Sequence, residues 1–181
     1  MQTTIIALLE QDPDRMRALQ TAQSLGLSQC YLAAGFVRNL VWDHLHEKPV
    51  PTPLNDVDLI YFDPHEPDDS TYLAYEAQLH ALMPSLNWQV RNQANMHVRN
   101  GDPVYRDVID AMSYWPEKET AVAARLSPQN EMECISAFGF ESLFALRITP
   151  NPKRDITISK HRIKSKNWLT LWPKLMLDKS T

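Results

Sequence analysis

Glycine is scarce in this chain: Gly26, Gly35, Gly101 and Gly139 are the only four among 181 residues. With glycines so far apart, neither the G-x-G-x-x-G fingerprint nor the P-loop pattern can be written, so any phosphate chemistry must use side chains and metal ions. The two cysteines, Cys30 and Cys134, form no C-x-x-C pair and no metal-ligand spacing. Disulfide scaffolds, zinc ribbons and iron–sulfur ligation therefore have no support, and a reducing cytoplasmic setting fits best. Apolar runs are short, none approaching the ~18 residues of a membrane span. The N-terminal stretch MQTTIIALLEQDPDR has no basic region and carries Glu10 and Asp12, so neither secretion nor a membrane partner is expected. No G-x-S-x-G elbow occurs and neither cysteine has a histidine nearby in sequence, which argues against serine or cysteine nucleophiles. His44 and His46, two apart on an expected helix, point to different faces and make a poor zinc pair.

The rest is ordinary globular material, 44% hydrophobic and 22% charged, and its length suits one domain spanning 1–181 at roughly 100–200 residues per domain. The net charge of -4 and the pI near 5.8 argue against a protein that mainly binds long nucleic acid. Charge is unevenly placed. Residues 150–181 hold eight basic side chains (Lys153, Arg154, Lys160, Arg162, Lys164, Lys166, Lys174, Lys179) against Asp155 and Asp178, a local +6 that leaves -10 for residues 1–149. This segment either lies beside an acidic site, where it would suit a polyphosphate, or is solvated and offsets the body's charge.

Hydrophobic spacing predicts two short helices over 3–25, broken near Asp12-Pro13-Asp14. A buried strand is predicted over Cys30–Ala34, followed by a turn at Gly35 and a helix over Phe36–His46. Asp56–Phe62 reads as a strand, Thr71–Met83 as a helix and Asn87–Gln93 as a strand. Val104–Trp115 is expected to be helical, Thr120–Leu126 with Met132–Ser136 a hairpin, Phe138–Leu146 helical, and Trp168–Leu177 a helix interrupted at Pro173. Trp88, Trp115, Trp168 and Trp172 read as core rather than as base-stacking platforms. Mixed strands and helices in one domain give an α/β or α+β class with a central mixed sheet.

The chemistry concentrates in AAGFVRNLVWDHL followed by PLNDVDLIYFD. Asp56 and Asp58, two apart on a strand, project from one side and offer hard oxygens to Mg²⁺ or Mn²⁺. Two such ions roughly 4 Å apart can activate a hydroxyl, neutralise a triphosphate and stabilise departing pyrophosphate. Gly35 lets backbone approach phosphate closely at a helix N-terminus, and Arg38, one turn on, reaches the same ligand or else pairs with an acid near the strand ends. Asp63 falls on the opposite face from Asp58 and fits turn chemistry with Pro64. Asn92, Gln93 and His97 in NQANMH are candidates for contacts to nucleobase, ribose or acceptor. Glu117 and Thr120 either shape an acceptor pocket or belong to a loop and strand. Lys160, His161, Arg162 and Lys164 either meet a triphosphate or are solvated.

These motifs resemble the polymerase-beta-like nucleotidyltransferase superfamily, in which a Gly-Gly or Gly-Ser turn precedes a helix and an hDhDh strand follows. Ala34-Gly35 and Val57-Asp58-Leu59 occupy those places. Gly35, Arg38 and Asn39 are similar to the helix start of tRNA nucleotidyltransferases. From about Tyr31 to Lys174 the chain is similar to small bacterial proteins of the nucleotidyltransferase family. The resemblance implies Mg²⁺-dependent transfer of a nucleoside monophosphate from an NTP to a hydroxyl acceptor. Asp56 and Asp58 would be the catalytic metal ligands, with Gly35, Arg38, Asn39, Asn92 and His97 on the nucleotide. The chain departs from the pattern twice. Ala34 stands where glycine is usual. WQVRNQ offers Asn92 where a third carboxylate is expected, leaving Asn92 itself, Asp110 or nothing to complete the set. A nucleotide-binding module without catalysis is the alternative. The acceptor stays open among small molecule, RNA and protein, with charge favouring a small molecule or protein over long nucleic acid.

Overall fold

The computed structural model describes residues 1–54, 56–68 and 70–178, so Lys179 of the basic segment and Asn55 beside the acid motif lie outside the described residues. The chain opens with α1 (Gln2–Glu10) and α2 (Pro13–Gln23). Their break follows from local chemistry: the Asp12 carboxylate accepts the Arg15 backbone N–H at 3.0 Å, and Pro13 sits in the first turn, where a missing N–H removes no helical bond. Next come β1 (Tyr31–Ala33), α3 (Gly35–Leu45), β2 (Val57–Tyr61), α4 (Ser70–Leu82) and β3 (Trp88–Asn92). They are followed by α5 (Gln93–Asn100), α6 (Val108–Met112), β4 (Val122–Leu126), β5 (Met132–Ser136) and α7 (Glu141–Phe144). The last elements are β6 (Arg147–Ile148), α8 (Ile156–Ser165), α9 (Trp168–Leu171) and β7 (Met176–Leu177).

Five strands form one mixed sheet in the order β3-β2-β1-β4-β5, with only β2 and β3 parallel. The expected hairpin of β4 and β5 is present, Val122 facing Ser136 and Leu126 facing Met132. Strand alternation sends Leu32, Val57, Leu59, Trp88, Val90 and Val122 into the main core, where they meet apolar faces of α1, α2, α3 and α4. The opposite face is more thinly covered. There Tyr31, Ala33, Ile60 and Ala123 pack against Val108 and Met112 of α6, and Asp58 shares their parity on β2.

Several stretches differ from expectation for reasons of capping. Asn92 ends β3 and accepts the Ala94 N–H at 3.1 Å, while Gly101 closes α5 with φ 69°, so the rest of NQANMH, from Gln93 on, is helical. Asp107 caps α6 through the Asp110 N–H at 2.7 Å, confining helix to five of the residues from Val104 to Trp115. Within Phe138–Leu146 only Glu141–Phe144 is helical. The basic stretch, assigned no element from sequence, holds α8, started by Asp155 accepting from Thr157 N–H at 2.8 Å. The helix expected to reach Leu177 stops at Leu171 before Pro173, and Met176–Leu177 instead pairs with β6. Among the described residues no helix is long and apolar enough to cross a membrane.

Candidate functional site

Antiparallel pairing of β1 with β2 sets Asp58 opposite Ala33, the last residue of β1. The acid pair therefore sits where β1 turns through Ala34 into α3, although that turn lies more than twenty residues away in sequence. Ala34 makes the turn with φ 55° and ψ -118°, a conformation that favours glycine. Its N–H donates to the Val122 carbonyl at 2.9 Å and its own carbonyl accepts the Arg38 N–H at 2.8 Å. The turn thus has the shape the glycine pattern requires, at a steric cost to alanine. The Ala34→Gly protein is expected to be more stable by about 1 kcal/mol, a rise of roughly 2–4 °C in melting temperature measurable by calorimetry.

A cavity of about 410 Å³ opens at this turn, lined by Ala34, Gly35, Arg38, Asn39, Thr52 and Pro53, by Asp56 and Asp58, and by Arg162, Lys166, Asn167, Trp168 and Trp172 among others of the C-terminal segment. A second hollow, of about 360 Å³ between α2 and β4, has no carboxylate in its lining. Asp56 is exposed just before β2, one of its oxygens accepting from Asn87 Nδ2 at 2.7 Å. Burial, reinforced by the charge of Asp56, holds the Asp58 carboxyl above its ordinary range, against the opposing charges of Lys166, Arg38 and Arg162. Two mutually repelling hard-oxygen groups fit a divalent cation such as Mg²⁺, which needs only one or two protein carboxylates beside phosphate and water. No third His, Cys, Asp or Glu joins them among the described residues.

Arg38 is buried rather than free to sweep the cavity. Its guanidinium lies over Trp42 at 5.0 Å and Trp168 at 4.3 Å, donates to Thr120 Oγ1 at 2.8 Å and to Asn39 Oδ1 at 3.0 Å, and burial pushes its pKa down to about 10. Arginine only donates, so Asn39 must present its oxygen to Arg38 and turn its amide nitrogen toward Gly35. A Cβ on Gly35 would stand 3.3 Å from that nitrogen, so a larger residue there would require Asn39 to shift by a few tenths of an ångström. Behind Arg38, Thr120 donates to Glu117 at 2.9 Å, and the fully buried Glu117 receives Arg162 Nε at 3.0 and 3.2 Å. Glu117 and Thr120 accordingly support the cavity from behind rather than lining it. Trp42 meets Trp168 and Trp172 edge to face at 5.7 and 5.1 Å, anchoring the C-terminal segment against α3.

Residues 20–177 match the family described as nucleotidyltransferase. The chain belongs to the nucleotidyltransferase family. An NMR structure described as a CCA-adding enzyme head domain is 30% identical with a TM-score of 0.86, the match covering 99% of this chain and 97% of that one. The Thermotoga maritima CCA-adding enzyme complexed with tRNA is 14% identical with a TM-score of 0.63, covering 97% of this chain and 42% of that one. A CCA-adding enzyme in complex with CTP is 13% identical with a TM-score of 0.61, covering 97% and 43%. These two share the fold, and the chain spans less than half their length. No curated protein matches the chain.

The candidate cavity brings together Gly35, Arg38, Asn39, Asp56 and Asp58 but not Asn92 or His97. Parallel register sets Gln89 beside Asp58 and moves Asn92 to the far end of β2, beside Tyr61. There Asn92 accepts the N–H of Asp63 at 3.1 Å and donates to its carbonyl at 2.8 Å, besides capping α5. His97 Nδ1 bonds the Ala94 carbonyl at 2.7 Å and its ring faces Tyr105. Asp110 is engaged by Arg106, which holds its carboxyl below the usual range. Asp63 is turn chemistry as expected, accepting from the His65 N–H at 2.9 Å. The Asn92→Ala protein is expected to lose about 1–2 kcal/mol of stability with its cap, while nucleotide affinity measured by titration stays within twofold, on the order of 0.4 kcal/mol.

The basic segment divides. Lys160, His161 and Lys164 are exposed outside the cavity, whereas Arg162 and Lys166 line it. Arg154 pairs with Asp102 through both carboxylate oxygens and donates to the Tyr114 carbonyl, tying the start of α8 to the α5–α6 connection. Thr52, Lys166, Asn167 and Trp168 were not singled out from sequence as site residues, since only tertiary packing brings them to the acid pair. Burial pushes both thiols, Cys30 and Cys134, up to about 12, so neither is a nucleophile near neutral pH.

Proposed function

We propose that this chain transfers a nucleoside monophosphate from an NTP to a hydroxyl acceptor. The reading rests above all on one observation: two carboxylates, Asp56 and Asp58, share one cavity with a glycine-started helix and three cations, Arg38, Arg162 and Lys166. The acceptor hydroxyl gives up its proton to solvent as its oxygen forms a bond to the α-phosphorus, the bond to the bridging oxygen breaks, and pyrophosphate leaves with its electron pair. Asp56 and Asp58 would hold Mg²⁺ or Mn²⁺, which when bound neutralises phosphate charge and lowers the barrier to hydroxyl attack. Gly35 and the start of α3 admit phosphate oxygens to backbone N–H groups, Asn39 adds an amide donor, and Arg38 holds Asn39 in place.

The negative net charge favours a small-molecule or protein acceptor over long nucleic acid. The test is incubation with each α-labelled NTP and Mg²⁺ or Mn²⁺ in a nucleotide-depleted extract, beside the Asp56→Asn/Asp58→Asn protein. Label passing to a metabolite or macromolecule only with the unaltered protein is the expected result, and the labelled species names the acceptor class.

The lack of a third His, Cys, Asp or Glu at the pair among the described residues favours a second reading, a nucleotide-binding module without turnover. Metal-dependent NTP binding, lost in the double variant and unaccompanied by label transfer, would select it.

A further inference from the structure

We propose that Lys166, between α8 and α9, grips the β- and γ-phosphates of the incoming nucleotide, so that the basic C-terminal segment selects triphosphates over monophosphates. The proposal rests on the nucleotide-transfer reading of the same cavity. Three cations line that cavity, and two are engaged by the protein. Arg38 is stacked between two tryptophans and donates to Thr120 and Asn39. Arg162 is held against the buried Glu117. Lys166 makes no ion pair within 4 Å among the described residues, and it is exposed at the cavity. Its charge nevertheless reaches Asp58.

The backbone places this lysine firmly. Asn167 adopts the left-handed conformation, φ 52° and ψ 35°, turning the chain sharply from α8 into α9. The next residue, Trp168, is buried against Trp42 and Arg38. The root of Lys166 is thereby fixed two residues from the aromatic anchor, while its four-carbon stem stays free to bring an ammonium to a phosphate tail. The carboxylates of Asp56 and Asp58 repel a polyanion, and a lysine ammonium at the same cavity offsets that repulsion. Lys160 and Lys164, exposed on α8 outside the cavity, share the segment's charge without its geometry.

The test is titration at low salt, with Mg²⁺, of a methylene-bridged NTP analogue and of the matching NMP. The proteins are the unaltered chain, Lys166→Ala, Lys166→Arg, Lys160→Ala and Asp56→Asn/Asp58→Asn. Lys166→Ala is expected to weaken the triphosphate analogue by about tenfold or more while leaving NMP affinity unchanged, since one charge-assisted contact is lost. Lys166→Arg should recover most of the loss, and Lys160→Ala should match the unaltered protein. Equal losses for Lys160→Ala and Lys166→Ala, or equal losses for triphosphate and monophosphate, would overturn the assignment. A Lys166→Ala protein that binds normally, while the Asp56/Asp58 variant loses metal-dependent binding, overturns Lys166 alone. An unaltered protein that binds no triphosphate overturns the nucleotide reading as well.

Discussion

The Asp58→Asn protein is expected to lose nucleotidyl transfer by about a thousandfold or more and yet to melt at a higher temperature than the unaltered chain when both are free of metal. Both effects come from one property of the site. Burial and the neighbouring charge of Asp56 raise the Asp58 carboxyl above its ordinary value, so the folded protein holds that proton more tightly than the unfolded chain does. The resulting stability is complete below the unfolded carboxyl's range, near pH 4, and is lost as pH rises through the elevated folded value. At neutral pH the ionised pair therefore opposes folding. Asparagine keeps the shape, removes the charge and relieves that opposition, but it is a poor metal ligand. Melting curves in chelator at pH 7 should favour the variant, with the difference shrinking toward pH 4. Added Mg²⁺ should stabilise the unaltered protein and leave the variant nearly unmoved. Full transfer by the variant would remove Asp58 from the metal site, and a lower metal-free melting temperature at pH 7 would contradict the electrostatic account.

The Asp43→Ala protein is expected to be destabilised by about 3–5 kcal/mol, on the order of 10 °C in melting temperature. Asp43 is buried on α3 and accepts three strong bonds: the Thr52 N–H at 2.7 Å, the Thr52 hydroxyl at 2.6 Å and Trp172 Nε1 at 2.7 Å, with Lys48 Nζ at 3.6 Å. Removing the carboxylate leaves two buried N–H groups without an acceptor, each costing about 1–3 kcal/mol. Thr52 and Trp172 both line the candidate cavity, so the KM for NTP should rise more than kcat falls. Asp43→Asn, which retains one acceptor oxygen, should lie between. Denaturant titration and steady-state kinetics check both parts; a melting temperature within 2 °C of the unaltered protein, about 1 kcal/mol or less on this scale, would show that these bonds contribute little.

Much of the architecture was legible because it is written locally. Helix boundaries at Asp12-Pro13, the strand with alternating acids, and the β4–β5 hairpin depend on caps, propensity and period, all of which neighbouring residues specify. The helices α5 and α8 carried cap signals too, in Asn92 with Gly101 and in Asp155, but few apolar residues mark their faces, so hydrophobic periodicity missed them. Asn92 shows what register decides. Its strand follows the acid pair, and the sequence pattern makes it a candidate nucleotide contact, but parallel register carries it to the far end of β2, where it clamps Asp63.

The sequence by itself determined the mixed α/β class, the acid pair on one side of a strand and the glycine that opens α3, because each follows from residues a few positions apart. Tertiary structure alone decided which groups meet that pair. Antiparallel register brings Asp58 to the Ala34 turn, packing over Trp42 and Trp168 fixes Arg38 in the cavity wall, and aromatic packing carries Lys166 across more than a hundred residues to the cavity that Asp58 lines. Burial is a property of the assembled chain, which is why the charge state of Asp58 and the division of the basic segment into solvated and site-facing cations emerge only from the fold.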